Sequence, residues 1–342
     1  MKSAAARETP GSVGAIGAGV LFCLATVAAV QFLKPGDMVP TTPLRTLAAH
    51  VATPKPLVTA SAAADAFGQS GNVKVRFALP GRDVEFPVNV PSANDSLLYT
   101  WVPVGDSGEV APMRPLTAGP TIAPARPGFY HLALSHGAEH QILPEPLLAV
   151  MMPFDQKIAG RLNGYRIGTY LAERFGREDR EHPPGFLEVR QADLDLQVTR
   201  HLRLAAFVTH DEQRDVWPKY VALNPKLLDK LELVFAELGG NVRAQLAVDI
   251  HSGFRTPLHN ARVPRAASDS RHQYGDAADI AVDADGDGRI TMTDALLVTL
   301  AVERVEDAHP ELMGGLGLYT SRRYPSPYVH IDARGTRKRW KG

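Results

Sequence analysis

Two histidines and an aspartate are the residues of this chain best suited to chemistry. His272 and Asp279 have six residues between them in the run SRHQYGDAAD, and His330 follows in the run YVHID near the C-terminus. Imidazole and carboxylate groups bind zinc, and three protein ligands leave the fourth tetrahedral position open for water. The pattern predicts a zinc site of the kind that a hydrolase needs. The alternative is that the three are ordinary polar residues at the surface.

Short elements must bring these three side chains together. A loop or short strand that carries His272 can turn at Gly275 and return Asp279 to the same ion, and the two alanines before Asp279 permit close backbone approach. His330 alternates with valine and isoleucine within Tyr328–Asp332. A strand there buries the two aliphatic side chains and turns the histidine towards a cleft.

The C-terminal part of the chain mixes helical and strand patterns without regular alternation. This favours the α+β class, with an antiparallel sheet and helices, over a parallel α/β fold. The predicted elements are a helix over 224–238 capped by Asn224, a strand over 244–250, a helix over 293–308, and a final hairpin of strands 316–319 and 328–332.

The preceding part of the chain has shorter, alternating runs. Between residues 71 and 153 they are bounded by Pro, Gly, Asn and Asp, which is typical of a small antiparallel β-sandwich-like domain. No catalytic constellation occurs there, so spacing or docking is its expected role. Residues 154–200 are interpreted as a connecting strap, and 201–342 as the domain that carries the zinc site.

The N-terminus indicates export. Ser12–Leu33 contains no charged residue in about 22 positions, enough at ~1.5 Å per residue to span a ~30 Å hydrocarbon core. Lys2 and Arg7 precede it and favour a cytoplasmic N-terminus. We predict an uncleaved transmembrane anchor over residues 1–35, with a Pro/Ala-rich linker over 36–70. A cleaved signal ending near Ala29 and a buried soluble helix are the alternatives.

Composition narrows the function classes. Lys+Arg and Asp+Glu both total 37, a balance that gives no support for nucleic-acid binding. Cys23 is the only cysteine, which excludes an intrachain disulfide and a thiolate metal site. Neither the oligomeric state nor a protein partner follows from the sequence.

Three motifs carry a family resemblance: Ser252-Gly253-Phe254-Arg255, Ser270-x-His272-x-x-Gly275-x-Ala277-x-Asp279 and Val329-His330-x-Asp332. They resemble the M15 family of zinc D-Ala-D-Ala peptidases, most closely its M15A branch, over roughly residues 201–340. The resemblance implies the hedgehog/DD-peptidase fold and a peptidase that acts on peptidoglycan stem peptides in the cell envelope. It also implies His272, Asp279 and His330 as zinc ligands.

Substrate binding is expected around Arg255. It stands where the family carries a substrate-binding arginine, and its planar charged group suits a terminal carboxylate. A structural salt bridge is the alternative role. Ser252 and Tyr319 are the other predicted substrate-binding residues. His251, His259 and His309 are interpreted as surface or core residues, not as ligands.

The proton-transfer group is left open by the sequence. Several family members place a carboxylate three residues before the last histidine ligand, where this chain has Pro327, and others carry a His-x-His pair where this chain has His330-Ile331-Asp332. Asp332, two residues after His330 on the same strand face, is the candidate catalytic base or the group that orients the histidine. Two further alternatives are Asp332 as the third ligand with His330 as acid/base, and a purely structural Asp332.

A calcium loop is predicted over residues 283–294. It follows the twelve-residue EF-hand template, with glycine at position 6 and a helix only on its C-terminal side. The shorter aspartate at position 12 is expected to weaken binding. The predicted calcium ligands, with Arg289 contributing its carbonyl, are Asp283, Asp285, Asp287, Arg289, Thr291 and Asp294.

The predicted function is a zinc D-Ala-D-Ala carboxypeptidase or endopeptidase. One rival is a wall-binding module that keeps the metals but lacks turnover. The other is a calcium-dependent structural adaptor that works through the β domain. The sequence does not fix which peptide bond is cut.

Overall fold

The computed structural model describes residues 59–60, 68–85, 88–89, 97–105, 110, 112–116, 120–175, 181–239, 248–320 and 326–342. All of them belong to one unit, Pro54–Gly342. The predicted anchor and most of the linker lie outside the described residues. Within the described part, no helix combines the length and apolar character needed to cross a membrane.

Strands outnumber helices in the described part of the chain. The strands are β1 Thr59–Ala60, β2 Val75–Ala78, β3 Asp83–Val84, β4 Val88–Asn89, β5 Leu98–Pro103, β6 Arg114–Pro115, β7 Thr121–Ile122, β8 Gly128–His136, β9 Glu139–Val150, β10 Met152–Pro153, β11 Arg161–Leu162, β12 Tyr165–Arg166, β13 Gly185–Val189, β14 Lys219–Val221, β15 Val248–Ser252, β16 Ala277–Val282, β17 Gly315–Tyr319, β18 Tyr328–Asp332 and β19 Lys338–Lys341. The helices are α1 Leu171–Phe175, α2 Pro225–Gly239, α3 Pro257–Asn260 and α4 Met292–Ala308.

The C-terminal sheet has the strand order β15-β16-β18-β17-β19. Its first four strands are antiparallel to their neighbours, and β19 joins β17 in parallel. The mixed α+β class, the helices over 224–238 and 293–308 and the final hairpin are therefore confirmed. Asn224 caps α2 as predicted, because its Oδ1 accepts from the Lys226 amide at 2.9 Å. Strand β19 was not predicted.

One face of this sheet is apolar and packs on the helices. Side chains alternate across a strand, so Ile280, Val329, Ile331 and Leu316 share a face and are all buried. Helix α4 packs against β16, β17 and β18 and also against α2. The opposite face is thereby left for the polar residues of the site.

The N-terminal strands form a five-stranded sheet in the order β2-β9-β8-β5-β6. Strand β2 pairs with β9 in parallel, unlike the antiparallel pairing expected, and the long intervening chain makes this possible. Trp101, Leu132 and Leu148 belong to a separate apolar core under this sheet. Residues 154–200 contain β13, which lies between β10 and β14. The sandwich arrangement and the domain boundaries stay predictions.

Close packing at Gly317 determines where the C-terminal strand lies. Gly317 is opposite Trp340 in the β17–β19 pair, and a Cβ on Gly317 would overlap the indole. The tryptophan ring reaches the His330 ring at a centroid distance of 5.0 Å and donates from Nε1 to the Tyr319 hydroxyl at 3.0 Å. The missing side chain thus lets an aromatic ring cover His330.

We predict that Gly317→Ala destabilises the protein by about 1–3 kcal/mol, the usual cost of overpacking a filled interior. Chemical denaturation monitored by tryptophan fluorescence measures this. Gly239→Ala is the matched control, because nothing lies within 4 Å of a Cβ at that position. An equal stability for Gly317→Ala and wild type would contradict the packing argument.

Candidate metal centre

The polar face of the C-terminal sheet carries one row of residues across all five strands. Ser252 is opposite Asp279, Asp279 is opposite His330, His330 is opposite Gly317, and Gly317 is opposite Trp340. Directly opposed side chains in a sheet are close neighbours. The strand register alone therefore brings one carboxylate and one imidazole together.

His272 reaches the row from a 3₁₀ helix over Arg271–Tyr274. Gly275 ends this helix in the left-handed conformation, with φ of 72°, and the predicted turn is therefore present. A Cβ on Gly275 would overlap the Ala222 carbonyl, so a larger residue does not fit. The hydroxyl of Tyr170 donates to the Gln273 carbonyl at 2.9 Å and thereby holds the 3₁₀ helix in place.

Three donor atoms converge at this point. His272 Nε2 lies 3.2 Å from Asp279 Oδ1 and 3.2 Å from His330 Nδ1, and the last two atoms are 2.9 Å apart. All three residues are buried. Ligand bonds of ~2.0–2.1 Å give a tetrahedron with edges of ~3.3 Å, close to this triangle. The nitrogen and oxygen donors fit a zinc ion in type, number and spacing.

The outer atoms of both rings are held by hydrogen bonds. His272 Nδ1 donates to the Gly253 carbonyl at 2.7 Å, and His330 Nε2 donates to Asp332 Oδ2 at 3.1 Å. A fixed N–H on one side of an imidazole leaves a lone pair on the other nitrogen. Both lone pairs then point at the same place, beside Asp279.

Electrostatics favours the charged form of the aspartate. Burial by itself raises the pKa of Asp279, but the neighbouring His272 and His330 reverse this and hold the pKa well below its usual value. Burial lowers the pKa of His272 and outweighs the effect of Asp279. For His330, hydrogen bonds to Asp279 and Asp332 overcome burial and raise the pKa.

Asp332 lies behind His330 and is fully buried. Its Oδ1 accepts from the Gly315 amide at 2.7 Å and from Arg334 Nε at 2.9 Å, and Arg334 Nη2 also binds Oδ2. Burial raises the pKa of Asp332, but hydrogen bonds from His330 and Arg334 bring it far below the usual value. Asp332 is not among the described residues that line the main cavity.

A buried ion pair supports the strand that carries His330 and Asp332. Lys230 Nζ on α2 lies 2.6 Å from Glu306 Oε1 on α4 and donates to the Asp332 carbonyl at 2.7 Å. Glu306 also accepts from the Gly314 amide at 3.0 Å and from Arg339. Removing one partner of such a pair leaves an uncompensated buried charge, at a cost of about 3–5 kcal/mol. The ion pair therefore connects the packing of α2 and α4 to the strand that carries His330 and Asp332.

Arg255 contacts the metal-ligand set directly. Its Nη2 donates to Asp279 Oδ2 at 2.5 Å, and its Nε donates to Ser252 Oγ at 2.6 Å. The guanidinium thus occupies the Asp279 oxygen that faces away from the two histidines. Arg255 also lines the main cavity, so both roles left open by the sequence have a geometric basis.

The centre opens into a cavity of about 860 Å³, within the range of ~300–1,000 Å³ usual for ligand sites. One wall is the segment 263–271, and the other is formed by residues of β17, β18 and the C-terminal segment. Tyr319 lies there, stacked on Tyr328 at a centroid distance of 4.5 Å. Cationic side chains outnumber carboxylates in the lining. The cations are Arg255, Arg265, Arg271, Arg334 and Lys338, and the carboxylates are Asp269 and Asp279.

The predicted calcium loop forms an acidic cluster. Ligand atoms of Asp283, Asp285 and Asp287 all lie within 4.8 Å of one another. Asp294 is not a member of this group and takes part in a capping box with Thr291 at the start of α4. Its Oδ1 accepts from the Ala284 amide at 2.8 Å. Hydrogen bonds from Thr291 and the loop outweigh burial and lower the pKa of Asp294. The amide of Arg289 donates to Asp287 Oδ1 at 2.8 Å.

Several supporting residues were not predicted from the sequence. Lys230 and Glu306 belong to helices whose patterns indicate only an apolar face, and their pairing depends on how α2 and α4 pack. Trp340 and Arg334 follow the last motif in the sequence. An aromatic residue and a cation so soon after a metal ligand were the signal that could have indicated their supporting role. The run of glycines at 314, 315 and 317 was another signal, since a Cβ at each would overlap Asp332 or Trp340.

An α+β fold with two histidines and an aspartate converging at a cavity is typical of a mononuclear metallohydrolase. Residues 198–294 match the model of a family described as Peptidase M15. The match supports the M15 peptidase family and includes His272 and Asp279, while His330 lies beyond it. Neither the curated proteins nor the solved structures provide a match.

We predict that Asp332→Asn weakens zinc binding about 10- to 100-fold, the usual effect of removing the carboxylate behind a histidine ligand. Competition with a chromophoric zinc chelator measures the dissociation constant, and circular dichroism verifies the fold. Asp307→Asn, an exposed change on α4, is the control. An unchanged zinc affinity in Asp332→Asn would show that the carboxylate does not support the ligand.

Proposed function

We propose that this protein is a zinc metallopeptidase that hydrolyses peptidoglycan stem peptides, as a D-Ala-D-Ala carboxypeptidase or a DD-endopeptidase. The observation that carries the proposal is the triangle of His272, Asp279 and His330 donor atoms beside a cavity that also contains Arg255. The Peptidase M15 match over the first two of these residues supports it. Arg265 and Lys338 in the lining, which have no ion-pair partner among the described residues, suit a substrate that carries carboxylates.

Each residue of the site has a role in this proposal. When bound, zinc supplies Lewis acidity, which polarises a carbonyl oxygen and lowers the pKa of water. His272, Asp279 and His330 hold the ion. Asp332 orients His330 by accepting its Nε2–H, which is one of the roles that the sequence left open. Arg255 keeps one Asp279 oxygen occupied and presents the rest of its guanidinium to the substrate, and Tyr319 contributes to the substrate wall.

The proposed location is the cell envelope. The uncharged run Ser12–Leu33 supports a single inner-membrane anchor with an extracytoplasmic body, and secretion after signal cleavage is the alternative. Stem peptides lie outside the cytoplasmic membrane, so this location agrees with the proposed substrate. Detecting the chain in membrane or soluble fractions after fractionation separates the two arrangements.

A second candidate is a wall-binding module that keeps zinc but does not turn over. Pro327 occupies the place of a family carboxylate, and Asp332 faces His330 and not the main cavity. Both observations favour binding without hydrolysis.

We predict that a fragment starting at residue 68 releases product from purified muropeptides only with zinc present. His272→Ala and Asp279→Asn should each lower the rate by at least ~100-fold, because each removes one of three metal ligands. His140→Ala, an exposed histidine on β9, is the control. Chromatography with mass detection identifies the products.

The products decide between the activities. Free D-Ala indicates a carboxypeptidase, and monomers from crosslinked dimers indicate an endopeptidase. Retention of muropeptides without any product would contradict the peptidase and support the wall-binding module.

We further propose that calcium binds the loop 283–294 through Asp283, Asp285 and Asp287 and the carbonyl of Arg289. Thr291 and Asp294, the other two ligands of the template, are engaged in the capping box of α4. The loop directly follows β16, which carries Asp279. Calcium at this place would offset the mutual repulsion of three carboxylates and rigidify the strand that presents a zinc ligand.

We predict that calcium at ~100 times its dissociation constant stabilises the protein by about 2.7 kcal/mol, through binding to the folded state alone. The double variant Asp283→Asn/Asp285→Asn should lose this response in thermal unfolding and also lose activity at constant zinc. Arg289→Lys keeps the backbone carbonyl and is the control. Turnover and melting temperature that do not change after selective calcium removal would contradict the proposal.

A further inference from the structure

A hydroxyl group is held in a fixed direction on the wall of the main cavity. The Tyr319 hydroxyl oxygen lies 3.0 Å from Trp340 Nε1, and both residues line the cavity together with His330. An indole nitrogen carries one hydrogen and is a donor only, so Trp340 donates and the hydroxyl oxygen accepts. The hydrogen of the hydroxyl itself is therefore directed away from Trp340.

The ring of Tyr319 is fixed as well as its oxygen. Tyr319 and Tyr328 are directly opposite each other in the β17–β18 pair. Their rings are stacked at a centroid distance of 4.5 Å, with an angle of 7° between the ring planes. The stack restrains the two side-chain torsions of Tyr319, and the bond from Trp340 restrains the hydroxyl at the far end of the ring. The hydroxyl is thus positioned before any ligand binds.

This hydroxyl lies close to the row of residues that contains the metal donors. Trp340 belongs to that row, and its ring lies at a centroid distance of 5.0 Å from the His330 ring. Gly317 lies between the two residues in the row, and a Cβ on Gly317 would overlap Trp340 Nε1. The indole nitrogen is therefore placed over the strand next to His330, with the Tyr319 hydroxyl one hydrogen bond away from it.

Hydrolysis of a peptide bond creates a negative charge that such a donor stabilises. As the oxygen of water adds to the carbonyl carbon, one electron pair of the C=O bond moves onto the carbonyl oxygen. The pair returns when the C–N bond breaks, and the nitrogen takes up the proton that the water has lost. One preorganised hydrogen-bond donor at the charged oxygen accelerates reactions of this kind by about 10²–10³-fold.

We propose that Tyr319 is a catalytic residue whose hydroxyl donates to the carbonyl oxygen of the bond that is cleaved, and that Trp340 positions this hydroxyl. The inference rests on the proposed function in one respect, namely that a peptide bond is hydrolysed at the metal centre. Tyr319 keeps its proton throughout, so no further reactant is needed. A hydrogen bond to the charged oxygen is stronger than one to the neutral carbonyl, so its loss lowers kcat more than it raises KM.

Two single variants test the two roles in the zinc-loaded protein. Tyr319→Phe keeps the stacked ring and should lower kcat for muropeptides about 100-fold, with KM and zinc affinity unchanged. Trp340→Phe keeps an aromatic ring beside His330 and should lower kcat about 3- to 10-fold, the effect of one neutral hydrogen bond. An unchanged kcat in Trp340→Phe would overturn the positioning role.

The double variant Tyr319→Phe/Trp340→Phe separates positioning from packing. Because Trp340 acts through the Tyr319 hydroxyl, the double variant should be no slower than Tyr319→Phe alone. Losses that multiply would show that Trp340 acts on the site independently, and would overturn its positioning role. Tyr130→Phe is the matched control, since it removes a hydroxyl that donates to the Arg126 carbonyl in the N-terminal part of the chain.

The hydrogen bond itself has a readout that requires neither zinc nor turnover. The chain has three tryptophans, so a nuclear magnetic resonance spectrum of isotope-labelled indole N–H groups contains three signals. The signal that is missing in Trp340→Phe belongs to Trp340. Tyr319→Phe should shift this signal and speed up its hydrogen exchange, and a signal that does not change would overturn the pairing.

The outcomes separate this proposal from the proposed function. If muropeptides are hydrolysed and Tyr319→Phe is as fast as wild type, the catalytic role is overturned and the peptidase stands. If nothing is hydrolysed, calorimetry with a D-Ala-D-Ala phosphinate decides, because its tetrahedral anion resembles the transition state. Binding at least ~10-fold weaker in Tyr319→Phe supports the donor although the peptidase fails. Equal or absent binding overturns the donor as well.

Discussion

The register of β16 against β18 is the constraint on which the whole site depends. A shift by one residue would turn either Asp279 or His330 to the opposite face of the sheet, because side chains alternate with a period of two. The register is fixed from the other face, where Ile280, Val329 and Ile331 are buried on the side of the sheet that packs against α4. Burial of one aliphatic side chain stabilises by about 1.5–3 kcal/mol, so a shifted register loses several such contributions. The apolar core thus determines where the metal donors meet.

Polar interactions then fix the directions of the donor side chains. Gly253 and Asp332 each occupy the outer nitrogen of one imidazole, and Arg255 occupies the outer oxygen of Asp279. A metal ion placed among the inner atoms would find three ligands that need little reorganisation. Lys230 and Glu306 extend this support into the helices, so the strand end that carries Asp332 is coupled to the packing of α2 on α4.

The sequence predicted the parts of the site that depend on local pattern. The spacing from His272 through Gly275 to Asp279 includes its own turn, and the alternation around His330 includes its own strand, so both could be inferred residue by residue. The direction in which Asp332 faces could not be inferred, because it depends on the amide of Gly315 on the neighbouring strand β17 and on how the nearby Arg334 side chain folds back. Strand β19 was missed for the same reason: four residues with three charged or basic side chains give no strand pattern, and their place is decided by Gly317 and Trp340. The parallel β2–β9 pair likewise depends on a distant partner strand.

The central claim is that one zinc ion binds between His272 Nε2, Asp279 Oδ1 and His330 Nδ1. Anomalous diffraction at the zinc edge, from crystals grown with zinc, tests it most directly. The account predicts one strong peak within bonding distance of these three atoms, with the Asp332 carboxylate on the far side of His330. A peak bonded to Asp332, or zinc bound only at Asp283, Asp285 and Asp287, would contradict it.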